Sequence, residues 1–108
     1  MRKIGVIIKE PGKVPRHVNI SDSLENLQRT VGGYIEAVTL GEARDGDDRI
    51  VAICNEEGRI RELPYCCTIL GIDFCGPVIL VGACRDEFTD WPWSFDKTKE
   101  LLPLLWGV

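Results

Sequence analysis

The sequence has a single histidine, His17, and its five cysteines include no C-x-x-C pair. Zinc and thiol redox sites are usually built from closely spaced ligands, and hydrolytic triads need a histidine with an acidic and a nucleophilic partner. The adjacent glycines Gly32-Gly33 follow a predicted helix instead of preceding one, so they do not indicate a phosphate-binding loop. We therefore predict no metal, no cofactor and no catalytic residues, and expect a protein that is not an enzyme.

Basic residues are also few. The 108 residues carry 13 Lys and Arg against 17 Asp and Glu, a net charge of −4. Residues 1–54 hold eight of each sign, whereas residues 55–108 hold five basic against nine acidic residues. Because an acidic half without a basic stripe repels phosphate backbones, we expect no direct binding of nucleic acid. Two or three well-placed arginines could still bind a small anionic ligand.

Long apolar runs are absent as well. A membrane helix needs about 18–20 consecutive apolar residues, and the sequence contains no such run. The segment Met1–Glu10 begins with basic residues, as signal peptides do, but its apolar run is too short. We therefore expect a cytoplasmic protein (the host cytoplasm if it is phage-encoded) that does not bind membranes, folded as a single domain over residues 1–108.

The apolar patterns predict an α+β domain. We expect a mostly antiparallel sheet of about five strands, with one helix on a face and a short C-terminal helix. The predicted strands are Lys3–Lys9, Val14–Ile20, Tyr34–Leu40, Arg49–Cys54 and Pro77–Gly82, with Arg59–Arg61 as a short returning strand. Since Pro15 cannot donate to a ladder, the second strand should lie at an edge of the sheet, in a hairpin with the first.

The helices are predicted from capping residues and spacing. Ser23–Val31 has N-cap candidates at its start and Gly32 or Gly33 as a left-handed stop, and Ser94–Leu102 is ended by Pro103.

The loop at residues 41–48 is rich in aspartate, but it lacks the terminal glutamate of a calcium loop. In the turn that follows the fourth strand, Gly58 should take a positive φ. Glu56 and Glu57 could place carboxylates at the strand end, although turn chemistry also explains them.

The cysteines leave one question open. Cys54 and Cys75 lie in or beside apolar runs and should act as small buried hydrophobes. Cys66 and Cys67 are adjacent, which is poor geometry for a disulfide between them. If exposed, they could be reactive, although no nearby cation would clearly lower their pKa.

Several motifs occur in the order found in a known family. They are Val31–Glu36, Cys54–Gly58, Leu63-Pro64 and Gly76–Gly82. With them, the chain resembles the small bacterial and phage proteins grouped as domain of unknown function family 3846, over roughly Val6 to Phe88. The resemblance implies an accessory or host-interaction role for a phage or mobile element. It transfers no catalytic residues to this sequence.

The aromatic tail allows three interpretations. Three Trp in so small a domain form a large apolar surface, which could be a lid on the sheet, an interface of an oligomer or partner, or a platform for a nucleotide base. For a ligand site we select aromatic residues that could be exposed, two arginines and the asparagine of the turn. They are Tyr34, Asn55, Arg59, Arg61, Tyr65, Trp91 and Trp93.

Two functions follow from these features. The first is a non-enzymatic accessory protein that antagonises host defence by sequestering a small nucleotide-type signal, because arginines and aromatics suit such a ligand. The alternative is an inhibitor that binds a host defence enzyme and uses its acidic half as a mimic of nucleic acid. In either case we expect a homo-oligomer.

Overall fold

The computed structural model describes residues 2–42 and 48–107. Over these ranges the chain forms eight strands, two α-helices and a terminal 3₁₀ turn. In chain order they are β1 (Lys3–Lys9), β2 (Arg16–Ser21), α1 (Leu24–Val31), β3 (Ile35–Glu42), β4 (Asp48–Asn55), β5 (Tyr65–Ile69), β6 (Ile72–Cys75), β7 (Val78–Cys84), β8 (Glu87–Thr89), α2 (Phe95–Leu101) and the 3₁₀ turn Pro103–Trp106. Neither α-helix has the length and apolar character required to cross a membrane.

The strands form one large antiparallel sheet and one small one. The large sheet has the order β2-β1-β7-β4-β3, and β8 pairs with the end of β7 beyond β1. The separate two-stranded sheet is the β5–β6 hairpin. The predicted fold class, an α+β domain with a mostly antiparallel sheet, is confirmed. The predicted hairpin of the first two strands is also confirmed, with Lys3 opposite Ser21 and β2 at the edge.

Strand β7 lies in the middle of the sheet, and its side chains enter both hydrophobic layers. Val78 and Leu80 belong to the layer that also contains Trp91. Ile79 and Val81 belong to the opposite layer, which α1 covers with Leu27 and other apolar residues. All four β7 residues are fully buried. A continuous apolar run is what a strand covered on both faces requires.

Local capping determines where α1 begins and ends. The Ser23 side chain accepts a hydrogen bond from the backbone N–H of Asn26, and Gly32 ends the helix at φ 80°. This confirms the predicted helix and its glycine stop. On the exposed face, Glu25 forms an i,i+4 ion pair with Arg29 at 3.1 Å, which stabilises a helix only slightly.

The aromatic tail packs on the face of the sheet opposite α1. Trp91 is 5% exposed, and its indole N–H donates to the Thr98 hydroxyl at 2.8 Å. Trp93 contacts Trp91 edge to face, with ring centroids 5.2 Å apart, and Lys97 lies over the Trp93 ring. The tail therefore forms a lid on the sheet around Trp91, as in the first of the three interpretations.

The adjacent cysteines are both buried. The ladder of β5 and β6 shifts register between Tyr65 and Cys67, so Cys66 occupies a bulge. Because of this bulge, Cys66 and Cys67 both enter the layer that contains Trp91, instead of alternating between faces. Neither cysteine is therefore exposed at the surface.

Several local predictions were wrong. Residues 59–61 lie in a turn and do not form a returning strand. Strands β5, β6 and β8 were not predicted. At the predicted loop, Gly41 and Glu42 extend β3 and Asp48 begins β4, while Asp45 and Asp47 lie outside the described residues.

The prediction that Gly58 takes a positive φ was wrong. Glycine is needed at this position because a side chain would not fit. The glycines with positive φ in the described chain are Gly12, Gly32, Gly71 and Gly76. A Cβ on Gly58 would lie 2.6 Å from the backbone carbonyl oxygen of Cys75. Only the absence of a side chain lets the turn after β4 approach the end of β6.

We predict that Gly58→Ala destabilises the fold by about 1–3 kcal/mol, because the turn and β6 must separate to admit the methyl group. Chemical denaturation of the variant and the wild type measures the difference. Gly41→Ala is the control, since a Cβ there meets nothing within 4 Å. Equal stability of the Gly58→Ala variant and the wild type would contradict the proposed contact.

Candidate functional site

A cleft of about 460 Å³ lies where β3 and β4 face the β5–β6 hairpin. Four segments line it, namely β3, β4, the turn at residues 56–62 and β6. The lining residues are Glu36, Val38, Cys54, Asn55, Glu56, Gly58, Arg59, Ile60, Ile72, Asp73, Phe74 and Cys75. We call it the acidic cleft, because most of its charged lining residues are carboxylates.

Strands β3 and β4 contribute a carboxylate and a thiol. Glu36 and Val38 share a face because side chains two residues apart on a strand point the same way. Cys54 lies opposite Glu36 in the ladder, and its thiol is 3.7 Å from the Glu36 backbone oxygen and 4.0 Å from Oε1. Burial, together with the negative charge of Glu36, raises the pKa of Cys54 to about 11. The thiol is therefore protonated at neutral pH and is a poor nucleophile.

The turn at residues 56–62 is fixed by side-chain hydrogen bonds to the backbone. Asn55 is 5% exposed; its Nδ2 donates to the Val31 carbonyl at 3.1 Å, and its Oδ1 accepts from the Glu57 N–H at 2.8 Å. Arg61 donates to the Gly32 carbonyl at 3.4 Å. Both side chains thus connect the turn to the C-terminal end of α1, where carbonyl groups lack helical partners.

The hairpin orients an aspartate through a chain of hydroxyl groups. Thr68 donates to the Asp73 carboxylate at 2.6 Å, and the Tyr65 hydroxyl lies 2.5 Å from the Thr68 Oγ1. Since Thr68 has one proton and gives it to Asp73, Tyr65 is the donor in the second bond. Arg59 donates to the Asp73 backbone carbonyl at 3.3 Å, which holds the turn against β6.

Carboxylates outnumber cations in the cleft. Of the described residues that line it, Glu36, Glu56 and Asp73 are acidic and Arg59 alone is basic. Phosphate sites are typically built from several arginines or from backbone N–H groups at a helix start. The charge of this cleft therefore favours a cationic ligand over an anionic one.

An apolar rim accompanies the carboxylates. Ile60 is 81% exposed and Ile72 is also exposed, and both line the cleft. Phe74 lies deeper, where it is buried. Exposed aliphatic residues around a few polar groups are common at binding sites, because the ligand removes them from water.

The structure places only some of the predicted site residues together. Asn55 and Arg59 line the acidic cleft, and Tyr65 acts on its wall through Thr68. Arg61 is bonded to the end of α1 and does not line the cleft, and Tyr34 is 69% exposed just before β3.

The two predicted tryptophans occupy a different place. Trp91 and Trp93 border a separate groove of about 360 Å³, together with His17 of β2. Since Trp91 is 5% exposed, it offers no free ring face for stacking. The predicted single site of arginines and aromatics therefore divides into separate regions.

Sequence reasoning missed the residues that give the cleft its charge. Glu36 and Asp73 were not selected, and Glu56 was interpreted as turn chemistry. One signal was available, since Glu36 interrupts the apolar side of β3 that continues with Val38 and Leu40. Asp73 gave no signal, because the strand that carries it was not predicted.

Comparison with known proteins assigns a family. The family model described as Domain of unknown function (DUF3846) matches residues 1–102, and the chain belongs to that family. No curated protein and no solved structure matched the chain. The family assignment confirms the resemblance seen in the sequence motifs.

We predict that Cys54 reacts with iodoacetamide only at strongly alkaline pH, with a midpoint near 11 instead of the ordinary 9.0. Glu36→Gln should lower this midpoint by removing the nearby negative charge. The thiol of Cys54 has a higher pKa in the folded protein than in the unfolded chain. The free energy of unfolding should therefore fall as pH rises from about 9 to 11. Peptide mapping at a series of pH values measures the midpoint.

Glu42→Gln on the same strand is the control for this measurement. It removes a carboxylate that does not line the cleft, so the Cys54 midpoint should not move. A wild-type midpoint near 9 would show that the cleft does not disfavour the thiolate. Equal midpoints in the wild type and the Glu36→Gln variant would show that the Glu36 charge has no part in raising the pKa of Cys54.

Proposed function

We propose that this chain is a non-enzymatic binding protein whose acidic cleft holds cationic side chains of a partner protein. The observation that carries the proposal is the charge of the cleft, whose lining among the described residues has Glu36, Glu56 and Asp73 against one arginine. That arginine, Arg59, already donates to the Asp73 backbone. A lysine or arginine from a partner would supply the missing positive charge and make charge-assisted hydrogen bonds.

This proposal shares the class of the alternative function derived from the sequence, a protein-binding inhibitor, but its carboxylates include Glu36 from outside the acidic C-terminal half. A protein that presents carboxylates can occupy the basic surface with which an enzyme binds nucleic acid. The net charge of −4 agrees with such a target, because long-range attraction would speed association. That the partner is a host defence enzyme stays a prediction.

The nucleotide hypothesis has weaker support. Of the arginines selected for phosphate binding, Arg61 contacts the end of α1 and Arg59 contacts β6. A phosphate entering the cleft would meet three carboxylates, which is unfavourable at short range. The cleft thiol does not favour covalent chemistry either, because Cys54 is protonated at neutral pH.

We predict that a lysine oligomer raises the melting temperature of the wild type, whereas a panel of cyclic and linear nucleotides does not. A ligand that binds only the native state stabilises it, and each kcal/mol corresponds to about 4–8 °C in a domain of this size. The triple variant Glu36→Gln, Glu56→Gln, Asp73→Asn should lose the effect. Differential scanning fluorimetry at low and high salt measures these shifts.

A matched triple variant removes the same number of charges elsewhere. Glu25→Gln, Asp86→Asn and Glu100→Gln are exposed positions that do not line the cleft. This control should keep most of the stabilisation by the lysine oligomer. Equal loss in both variants would mean that net charge alone is responsible, and stabilisation by a nucleotide would overturn the proposal in favour of the other hypothesis.

A further inference from the structure

Strand β3 has one edge with which no other described strand pairs. It forms the end of the large sheet and pairs with β4 along its other edge, and none of the strands described pairs with the open side. An unpaired edge presents backbone N–H and C=O groups that another chain can use. The acidic cleft lies beside this edge, because Glu36 and Val38 of β3 form part of its wall.

The ladder register identifies the backbone groups that face outward. The Glu56 N–H donates to the Tyr34 carbonyl at 2.8 Å, so that pair is hydrogen-bonded. Bonded pairs alternate with non-bonded pairs in an antiparallel ladder. Glu36 and Val38 therefore bond to β4, whereas Ala37 and Thr39 turn their N–H and C=O groups to the open edge. The regular register extends to Thr39, where a bulge begins.

This edge carries few of the features that usually protect an edge strand. The residues from Ile35 to Thr39 include no proline and no lysine, both of which discourage edge pairing. The bulge lies only after them. At the opposite edge of the sheet, β2 is preceded by Pro15 and begins with Arg16. The two edges thus differ, and β3 is the one suited to pairing.

We propose that an extended basic segment of the partner protein adds to Ile35–Thr39 as a further strand. This rests on the proposed function and specifies its geometry. Side chains on alternate residues of the added strand would lie on the same face as Glu36 and Val38. Lysines or arginines at those positions would reach the carboxylates of the acidic cleft. Backbone hydrogen bonds supply affinity and the alternate basic residues supply specificity.

A basic partner suits the edge better than a second copy of this chain. The segment Tyr34–Glu42 contains no lysine or arginine, so two β3 strands pairing with each other would bring no cation to either cleft. Such a dimer would instead place two acidic clefts close together. Like charges at an interface are unfavourable.

A peptide of alternating lysine and threonine is the probe for this proposal. Fluorescence anisotropy should show binding that weakens with salt, and amide hydrogen exchange should slow at Ala37 and Thr39 when the peptide is bound. A peptide of the same composition with its lysines in one block should bind more weakly. Protection of the same amides without peptide, together with a dimeric mass, would assign the edge to a second copy and overturn the proposal.

Blocking the backbone separates strand addition from simple attraction of charge. Ala37→Pro removes an N–H that faces the open edge and should weaken binding by about tenfold, whereas Ala37→Val should not. Two peptides that are N-methylated at alternate residues, in opposite phases, test the same bonds on unchanged protein. The peptide methylated at the N–H groups that bond to β3 should bind poorly, and the peptide methylated at the other residues should bind like the parent.

The two proposals fail in different ways. If the parent peptide binds and the Ala37→Pro variant and both methylated peptides bind equally well, strand addition is wrong while the acidic cleft remains the binding site. If neutralising Glu36, Glu56 and Asp73 leaves peptide binding unchanged, the proposed function is wrong, and the inference built on it is wrong too.

Discussion

The pairing of β7 with three other strands is the constraint on which the rest of the structure depends. β1 and β8 pair with one edge of β7, and β4 pairs with Ile79–Cys84 along the other edge. Because β7 is buried on both faces, it needs a helix on one side and the hairpin with the aromatic tail on the other. This arrangement leaves β4 to pair with β3, so β3 ends the sheet.

The candidate site follows from that position. At the end of the sheet the hairpin covers the β3–β4 face only in part, which leaves a cleft between them. Gly58 allows the turn to approach β6, and Asn55 holds the same turn to α1. The cleft is therefore bounded by fixed elements, and its charge comes from residues that do not contribute to the core.

The elements that could be predicted were those specified by nearby residues. The β-branched runs of β1 and β7 and the caps of α1 depend on sequence neighbours, and all three were found. β5 and β6 were missed because a bulge breaks the alternation in β5 and because the hairpin turn uses Leu70 at φ 49°, a residue that rarely takes this conformation. β8 has only three residues and depends on β7.

For the candidate site, the sequence identified Asn55 and Arg59. Asp73 could be placed in the site only once strand β6 was known.

Amide hydrogen exchange of the free protein, followed by NMR, shows directly whether β3 has an open edge. We expect exchange to alternate along β3. It should be slow at Glu36 and Val38, which bond to β4, and fast at Ala37 and Thr39, which face the open edge. Uniformly slow exchange at all four amides in the monomer would show that the edge is already covered. That result would contradict an open strand beside the acidic cleft.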